Sequence, residues 1–375
     1  MNPRKELGIK LPPRHPGSYG RLLSIFASAQ CAGSSSFVTD FVSWFPRFPN
    51  FLSGSNLCAS FMETVSLGTS PLQTSRLGYG CWRIAGTSDP AEVTPEKEDK
   101  GRRAVAAAME AGYTLFDHAD IYCRGHAETI FGQVMKENPS IRDEIVIATK
   151  CGIRFPGEPW SDSPHRYDFS AEHIVQCCEA SLKRLRVDTI DLFQLHRPDY
   201  LADPDEVADA FNQLMRSGKV REFGVSNFRP SLVTALKQAC PMPLVVHQVE
   251  ISLAKLDCFT DGILDQCWME KLTPLAWSPL GGGVLGAPEI ASGVGPRHPV
   301  SAHLQEVLSA IAEARGVSRA VIALAWLLKH PSKIIPIIGS VEPERIRDAT
   351  KATEIDLTRD EWYRLLLAAR GEKLP

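Results

Sequence analysis

The segment Leu77–Gly86, LGYGCWRIAG, spans most of the first predicted strand and the loop after it, and it decides between two folds. From Gly78 onward, short runs rich in β-branched residues alternate with helical patterns, which is typical of parallel βαβ units. A doubly wound sheet that binds a dinucleotide would carry the pattern G-x-G-x-x-G at this point, and the glycines here have a different spacing. A closed (β/α)8 TIM barrel needs no such loop, so the sequence predicts the barrel.

Eight predicted strands and the helices between them follow this pattern. The strands lie near Arg76–Tyr79, Tyr113–Phe116, Ile145–Thr149, Ile190–Leu195, Val220–Val225, Leu244–Gln248, Leu272–Ala276 and Ile334–Ile338. Amphipathic helices are expected after Ser170, from Pro204, over Ala302–Arg315 and Arg319–Lys329, and after Thr358. In the helix from Pro204, Asp203 is expected to cap the N-terminus and Glu206 to complete a capping box. A small hairpin around Gly68 is expected before the first barrel strand.

The composition is typical of a soluble globular protein. Of the 375 residues, 44% are hydrophobic and 23% are charged. The net charge of −3 and the pI near 6.4 give no basis for a nucleic-acid partner. No apolar run is long enough to span a bilayer, so no membrane association is expected. The ten cysteines lack the spacing of a disulfide framework or a zinc ribbon, which predicts reduced thiols and a cytoplasmic location.

Residues 1–61 differ from the rest of the chain. They hold ten serines, six prolines and six basic residues against two acidic ones, and they show no sustained periodicity. This composition favours a disordered tail or a false start upstream of Met62, with a targeting segment as the alternative. The expected organisation is an N-terminal extension over residues 1–61 and one barrel domain over residues 62–375.

Functional side chains of a (β/α)8 barrel come from the C-terminal ends of separate strands and meet on one face. The residues that follow the second to eighth predicted strands are, in order, Asp117 and Tyr122, Lys150, His196, Ser226 and Asn227, Gln248, Trp277, and Gly339 with Ser340. Each is a weak signal alone, since a single Lys or His after a strand is usually structural. Together they predict that ionisable Asp, Tyr, Lys and His side chains share a small volume.

The chemistry that these ionisable side chains favour is proton donation. A tyrosine has a pKa near 10 and is a reluctant acid at neutral pH. An ammonium at Lys150 would favour the phenolate of Tyr122 and so lower that pKa. A lowering of about 2 units corresponds to roughly 3 kcal/mol, which a cation about 4 Å away supplies at an effective dielectric constant of about 20. Asp117 would keep the lysine charged, and His196 would orient the oxygen that receives the proton.

The chain also contains, in this order, GYTLFDHADIY, IATKCG, LFQLHRPD, GKVREFGVSNF, HQVEIS, LAWSPLGGG and IPIIGSVEPERI. These segments resemble the motifs of the aldo-keto reductases, and most closely those of the bacterial oxidoreductase subgroup, from about residue 65 to the C-terminus. The resemblance implies a barrel that binds a nicotinamide cofactor and transfers hydride to a small aldehyde or ketone. By position, Tyr122 would be the general acid, Asp117 and Lys150 would tune it, and His196 would orient the carbonyl.

The resemblance implies a cofactor site as well. Its residues would be, from the nicotinamide to the adenosine end, Ser226, Asn227, Gln248, Trp277, Ser278, Leu280, Gly281, Gly282, Gly339, Ser340 and Arg345. The first three would hold the carboxamide, and Trp277 would lie against the nicotinamide ring where the family usually has a tyrosine. The loop from Ser278 would follow the pyrophosphate, because glycines let backbone N–H groups approach closely. Ser340 and Arg345 would hold the adenosine-side phosphate.

Three positions depart from the family pattern. His118 stands where threonine is usual, and Cys123 replaces the glycine that normally follows the tyrosine. Both changes are expected to affect only the rim of the pocket. Gly339 replaces a lysine that many members use to hold the 2′-phosphate of NADP. Ser340 and Arg345 remain, so NADP(H) is the expected cofactor, with NAD(H) as the alternative.

Two other functions fit parts of the sequence. A metal-dependent hydrolase on the same barrel could use His118, Asp120, His196 and His247 as ligands. The first strand offers no early pair of histidines of the kind such barrels use, so no metal site is predicted. An auxiliary subunit that binds cofactor and turns over little substrate is the second alternative. The complete set of ionisable residues argues against it.

Overall fold

The computed structural model describes residues 62–286 and 298–374, and the predicted extension over residues 1–61 lies outside them. The strands are β1 (Thr64–Ser66), β2 (Gln73–Ser75), β3 (Gly78–Gly80), β4 (Leu115–Asp117), β5 (Val146–Cys151), β6 (Ile153–Arg154), β7 (Arg166–Tyr167), β8 (Ile190–Leu195), β9 (Val220–Ser226), β10 (Leu244–Glu250), β11 (Thr273–Trp277) and β12 (Ile335–Ile338). Strands β3, β4, β5, β8, β9, β10, β11 and β12 form a closed barrel in that order, and β12 pairs in parallel with β3. The eight predicted strands and the barrel are confirmed.

Helices cover the outside of the barrel. They are α1 (Pro95–Glu110), α2 (His126–Glu137), α3 (Ala171–Leu185), α4 (Pro204–Arg216), α5 (Pro230–Ala239), α6 (Ile263–Glu270), α7 (Ala302–Arg315), α8 (Arg319–Leu328), α9 (Pro343–Thr350) and α10 (Arg359–Arg370). Asp203 caps α4 as predicted, accepting from the backbone N–H of Asp205 at 3.0 Å. The predicted capping box is wrong, because the Glu206 carboxylate instead accepts from the backbone N–H of Ala171 at the start of α3, at 2.9 Å.

Strands β1 and β2 form the hairpin that is predicted around Gly68, and it lies at the N-terminal end of the barrel. Leu67, in its turn, is fully buried and packs with barrel-lining side chains such as Leu115 and Leu275. Gly68 has a φ of +55°, and a Cβ there would lie 2.5 Å from the carbonyl oxygen of Val245, so only glycine fits this approach. Apolar packing at this end leaves the polar strand ends to the opposite face.

The hydropathy of the described helices and the state of the described cysteines are two further features of the chain. No helix within residues 62–286 and 298–374 is both long enough and apolar enough to cross a membrane. Eight cysteines in the same part of the chain are free thiols, and most of them are buried, such as Cys81, Cys151 and Cys178. These thiols behave as small apolar packing residues, because burial raises the pKa of Cys178 to about 12.

Helix α1 makes a close contact that yields a stability prediction. A Cβ on Gly101 would lie 2.0 Å from the carbonyl oxygen of Ile84, in the segment that follows β3. Gly→Ala inside a helix normally stabilises by about 1 kcal/mol. We expect Gly101→Ala to destabilise by about 2 kcal/mol instead, because the helix must move away from the barrel. Denaturant unfolding measures the change, and a stabilised variant would contradict this packing.

Candidate active site

A pocket of about 500 Å³ opens at the C-terminal ends of the barrel strands. It runs from Tyr122 and His196 at its inner end, past Trp277, to Arg345 on α9. The predicted site residues that line it are Asp117, Tyr122, His196, Ser226, Asn227, Gln248, Trp277, Ser278, Leu280, Gly282, Gly339, Ser340 and Arg345. The other two, Lys150 and Gly281, do not line it. These predicted residues therefore come from six strand ends that converge on one face of the barrel.

Lys150 lies behind the inner end of this pocket, and its side chain is completely buried. Its Nζ donates to both carboxylate oxygens of Asp117, at 2.7 and 2.8 Å, and to the carbonyl oxygen of His118 at 2.6 Å. The same Nζ lies 3.3 Å from the hydroxyl oxygen of Tyr122. Burial alone would lower the pKa of Lys150, but Asp117 and Tyr122 raise it above its ordinary value. The lysine is therefore an ammonium directly behind the phenol.

The pKa of Tyr122 lies above its ordinary value, because burial outweighs the opposing effect of the Lys150 ammonium, and Asp117 adds to the rise. The sequence-based expectation of a lowered pKa is therefore wrong in direction. The ammonium does act as expected, but sequence spacing does not show how completely the phenol is desolvated. At neutral pH the phenol keeps its proton, which is the state that a proton donor needs.

His196 faces Tyr122 across the inner end of the pocket. The two rings are perpendicular, with centroids 6.1 Å apart, and no protein group in the described residues bonds to His196 Nδ1. Burial, the Lys150 ammonium and the Arg197 guanidinium lower the pKa of His196 well below its ordinary value. The imidazole is therefore neutral, and it can form a hydrogen bond with a molecule bound beside Tyr122.

The side chain of Asn227 joins three strand ends. Its Oδ1 accepts from Trp277 Nε1 at 2.9 Å, and its Nδ2 donates to Ser226 Oγ at 2.8 Å and to the carbonyl oxygen of His196 at 3.2 Å. Both ends of this amide are thus used inside the protein. A nicotinamide carboxamide, expected here from the sequence, can donate to the second lone pair of Oδ1, whereas a bond from Nδ2 would replace one of the two that it makes. Trp277 is fixed by the same network, and its indole N–H supplies a bond that a phenylalanine could not.

Gln248 extends the network toward the ionisable side chains. Its Nε2 donates to Asp117 Oδ1 at 3.0 Å, and its backbone carbonyl accepts from the Asn227 N–H at 2.9 Å. The carboxylate of Asp117 thus receives hydrogen bonds from both Lys150 and Gln248, which satisfies its buried oxygens. The position of the Asp117 carboxylate therefore sets the orientation of the Gln248 side-chain amide at the floor of the pocket.

The outer part of the pocket fits the expected dinucleotide. Gly282 has a φ of +76° and no heavy atom within 4 Å of the place of a Cβ, so its backbone faces open space along the pocket. Gly281 is not part of this surface, because it is buried and a Cβ there would meet Ala254 at 3.2 Å. Its predicted contact with the pyrophosphate is therefore not supported. Ser340 and the exposed guanidinium of Arg345 stand at the far end.

Several lining residues were missed from the sequence. They are Trp82 and Arg83 after β3, Ile121, Ile153, Arg197, Ser318 and Asp348. Arg197 directly follows His196, and alternation along a strand would have placed it on the other face. The helical period could have identified Asp348 as a neighbour of the predicted Arg345, because it lies three residues further along the same helix. Trp82 lies at the rim and is 40% exposed.

The histidines that could have served as metal ligands are used elsewhere. His118 is fully buried and packs edge-on against Phe131 of α2, with ring centroids 4.5 Å apart. His247 accepts from the backbone N–H of Phe228 at 3.2 Å. Within the described residues, no group of three or more His, Cys, Asp or Glu side chains is arranged to hold a metal ion. The geometry of this face therefore gives the metal-dependent alternative no support.

The burial of His118 leads to a prediction about how the free energy of unfolding depends on pH. Burial, assisted by the Lys150 ammonium, lowers its pKa to about 3. The unfolded chain therefore binds more protons between about pH 6.5 and pH 3, and the stability contributed by the neutral ring is lost as the pH falls through this range. When the pH falls from 7 to 4, we expect the free energy of unfolding of His118→Leu to fall by about 3 kcal/mol less than that of the parent.

Denaturant titrations at the two pH values measure this difference. The control is His303→Leu, because the side chain of His303 is 70% exposed. This variant should lose as much stability on acidification as the parent. An equally acid-sensitive His118→Leu protein would show that the ring at position 118 is not the group that takes up the proton.

Comparisons with known proteins agree with the geometry. A family model described as the aldo/keto reductase family matches residues 76–366. A 6-dehydroglucose reductase of Novosphingobium aromaticivorans is 41% identical over 82% of this chain and 96% of its own length. An oxidoreductase of Escherichia coli is 40% identical over 84% of this chain and its whole length. A probable voltage-gated potassium channel subunit beta of Oryza sativa is 31% identical over 78% of this chain and 92% of its length.

Solved structures lead to the same family. A thermostable aldo-keto reductase in complex with the inhibitor epalrestat superposes with a TM-score of 0.70 at 27% identity, over 82% of this chain and all of that one. A glycerol dehydrogenase of Gluconobacter oxydans gives a TM-score of 0.71 at 26% identity, over 85% and 98%. Members of this family generally use nicotinamide cofactors. The chain belongs to the aldo/keto reductase family and is an oxidoreductase.

Proposed function

We propose that the protein reduces the carbonyl group of a small aldehyde or ketone with NADPH, and that Tyr122 is the general acid. One observation carries the assignment: the Lys150 ammonium lies 3.3 Å from the Tyr122 hydroxyl while Asp117 binds the same ammonium through both oxygens. This is an arrangement for giving up a phenolic proton at the inner end of a pocket. The free thiols of the described residues support a reducing compartment such as the cytoplasm.

Each side chain of the inner pocket has a task in this reaction. The bound nicotinamide supplies the hydride. The carbonyl oxygen lies between Tyr122 and His196, where the neutral imidazole orients it. As negative charge develops on that oxygen, Tyr122 transfers its proton, and the nearby ammonium of Lys150 stabilises the phenolate that remains. Asp117 holds the ammonium in place, so the phenolate is stabilised by a charge that does not have to reorganise.

The adenosine end of the pocket favours the phosphorylated cofactor. Arg345 and Ser340 line it together and offer a guanidinium and a hydroxyl, which are donors suited to a phosphate. Gly339 supplies no cation, although a Cβ there would have no heavy atom within 4 Å. Asp348 lines the same end and adds a negative charge. Selectivity for NADPH over NADH is therefore proposed to rest mainly on Arg345.

The relatives suggest which carbonyl compound to test first. Two of them, 41% and 40% identical to this chain, are named 6-dehydroglucose reductase. The rim of the catalytic pocket carries the indole ring of Trp82 and the guanidiniums of Arg83 and Arg197. The aliphatic side chains of Ile121 and Ile153 lie beside them. Such a rim offers hydrogen-bond donors beside apolar surface, which suits a hydroxylated aldehyde. We propose that the substrates are oxidised hexoses and that their aldehyde group is the carbonyl that is reduced.

An auxiliary role is the second candidate, and only the name of the Oryza sativa relative favours it. A single-turnover assay with NADPH and a panel of aldehydes separates the two functions. Oxidation of one equivalent of NADPH, followed by continued turnover, supports the enzyme. Tight NADPH binding without oxidation across the whole panel would favour the auxiliary role.

Removal of the Tyr122 hydroxyl tests the catalytic assignment. Tyr122→Phe keeps the ring and deletes the proton donor, so we expect kcat for aldehyde reduction to fall by about 10³-fold or more. The affinity for NADPH, measured by fluorescence titration, should stay within about twofold, because that hydroxyl does not serve cofactor binding. Tyr200→Phe is the matched control, since Tyr200 is 87% exposed and should behave as the parent. Parental turnover by Tyr122→Phe would remove the tyrosine from the mechanism.

Removal of the Arg345 guanidinium tests cofactor selectivity. We expect Arg345→Ala to weaken NADPH binding by about 10-fold or more, because a charge-assisted hydrogen bond to phosphate is lost. Binding of NADH should change by about twofold or less. Arg347→Ala is the matched control, because Arg347 lies on the same helix but pairs with Glu110 at 3.1 Å outside the pocket. Equal losses for both nucleotides would mean that Arg345 does not distinguish them.

A further inference from the structure

Two buried tyrosines on the barrel wall have hydroxyl groups that the proposed reduction does not use. Tyr79 stands in β3, and Tyr113 lies two residues before the start of β4. Both residues are at most 1% exposed, and neither lines the catalytic pocket. Their rings meet edge to face, with centroids 6.2 Å apart. Any part that they play in the reaction must therefore pass through the residues that they contact.

Both hydroxyls bond to the segment that carries the proposed phosphate donors. Tyr79 donates to the carbonyl oxygen of Ser340, and Tyr113 donates to the carbonyl oxygen of Ile346, each at 3.0 Å. Burial raises the pKa of both phenols well above the ordinary value, so each hydroxyl keeps its proton and remains a donor near neutral pH. The two bonds therefore fasten the backbone on either side of Arg345.

The position of α9 depends on contacts of this kind. The helix has eight residues and no side-chain cap at its N-terminus, and a helix of this length is marginal on its own. The ion pairs between this segment and α1 are about half exposed on both partners and contribute little, and they join Lys100 to Glu342 and Glu110 to Arg347. The bond from Ser318 to Asp348, at 2.6 Å, secures the second turn. Tyr113 supplies a buried polar anchor for the turn that carries Arg345.

The two hydroxyls are needed for these bonds and not for filling space. The ring of Tyr79 also packs edge-on against Phe116, with centroids 6.0 Å apart, and a phenylalanine at position 79 or 113 would occupy nearly the same volume. A buried hydroxyl is unfavourable unless it is hydrogen-bonded, so each phenol is compatible with its site because a carbonyl oxygen accepts from it. The same bond fixes that carbonyl, and donors that are already in place lose less conformational entropy when a ligand binds.

We propose that Tyr79 and Tyr113 are positioning residues of the cofactor site, which hold Ser340 and Arg345 in place for the adenosine-side phosphate of NADPH. This inference rests on the proposed role of Arg345 in binding that phosphate. The tyrosines act through the backbone of the segment, because neither of them reaches the pocket. NADH lacks the extra phosphate, so its binding does not depend on the exact position of the guanidinium.

Fluorescence titration of the full-length protein with NADPH and with NADH tests the proposal without any turnover. We expect Tyr79→Phe and Tyr113→Phe each to weaken NADPH by about fivefold and NADH by about twofold or less. In the Arg345→Ala background, Tyr113→Phe should weaken NADPH by about twofold or less, because the group through which it acts is gone. Thr273→Val is the matched control, since it deletes a buried hydroxyl that accepts from the Gly68 N–H at the opposite end of the barrel. Its affinities for both nucleotides should be those of the parent.

Hydrogen–deuterium exchange of the protein without nucleotide is the second measurement. The amides of α9 should exchange faster in Tyr113→Phe than in the parent, and at the parental rate in Thr273→Val.

Three results would overturn the proposal: unchanged exchange of α9 in Tyr113→Phe, equal weakening of NADPH and NADH, or the same effect of Tyr113→Phe with and without Arg345. The response of Arg345→Ala alone separates this inference from the proposed function. If that variant loses NADPH selectively and the tyrosine variants do not, only the positioning role is wrong. If it weakens NADPH and NADH equally, the proposed phosphate contact is wrong and the positioning role falls with it.

Discussion

The buried ion pair between Lys150 and Asp117 is the constraint on which the site depends. Both side chains are almost completely shielded from water, at 0% and 4% exposure, and an isolated charge in such a place would be strongly destabilising. The pair is tolerated because its own donors and acceptors are hydrogen-bonded: the ammonium also donates to the backbone carbonyl of His118, and the carboxylate also accepts from Gln248. Tyr122 lies against this pair and also lines the pocket.

The barrel makes this pair possible by placing strand ends side by side. Strands β4 and β5 are neighbours, so Asp117 and Lys150 reach the same point although they lie 33 residues apart in sequence. The amide of Asn227 does the same for β8, β9 and β11, since it bonds to His196, Ser226 and Trp277. Below these polar groups, Leu67 and the barrel-lining aliphatic residues form an apolar plug. The polar network therefore rests on a rigid, dry floor, which preserves the distances on which proton transfer relies.

Three expectations failed or lost support, each because a tertiary neighbour outweighed a local pattern. Glu206 has the spacing of a capping box, but the free N–H of Ala171 on the adjacent helix competes for its carboxylate. The pKa of Tyr122 is raised because desolvation depends on all the groups around the phenol, which no spacing reveals. Gly281 belongs to the glycine run after β11 but turns inward against Ala254, so it does not share the surface of Gly282.

The sequence by itself determined the barrel and the polar strand-end residues around the pocket, because β-branched runs, caps and strand-end side chains are local features with a fixed geometric consequence in this fold. Only the tertiary structure decided which side chains bond to one another. It showed the Asn227 amide bound between Trp277 and His196, and it placed the hydroxyl of Tyr113 against the backbone of α9. Desolvation and cavities arise from the packing of residues distant in sequence, and they have no local pattern from which to be read.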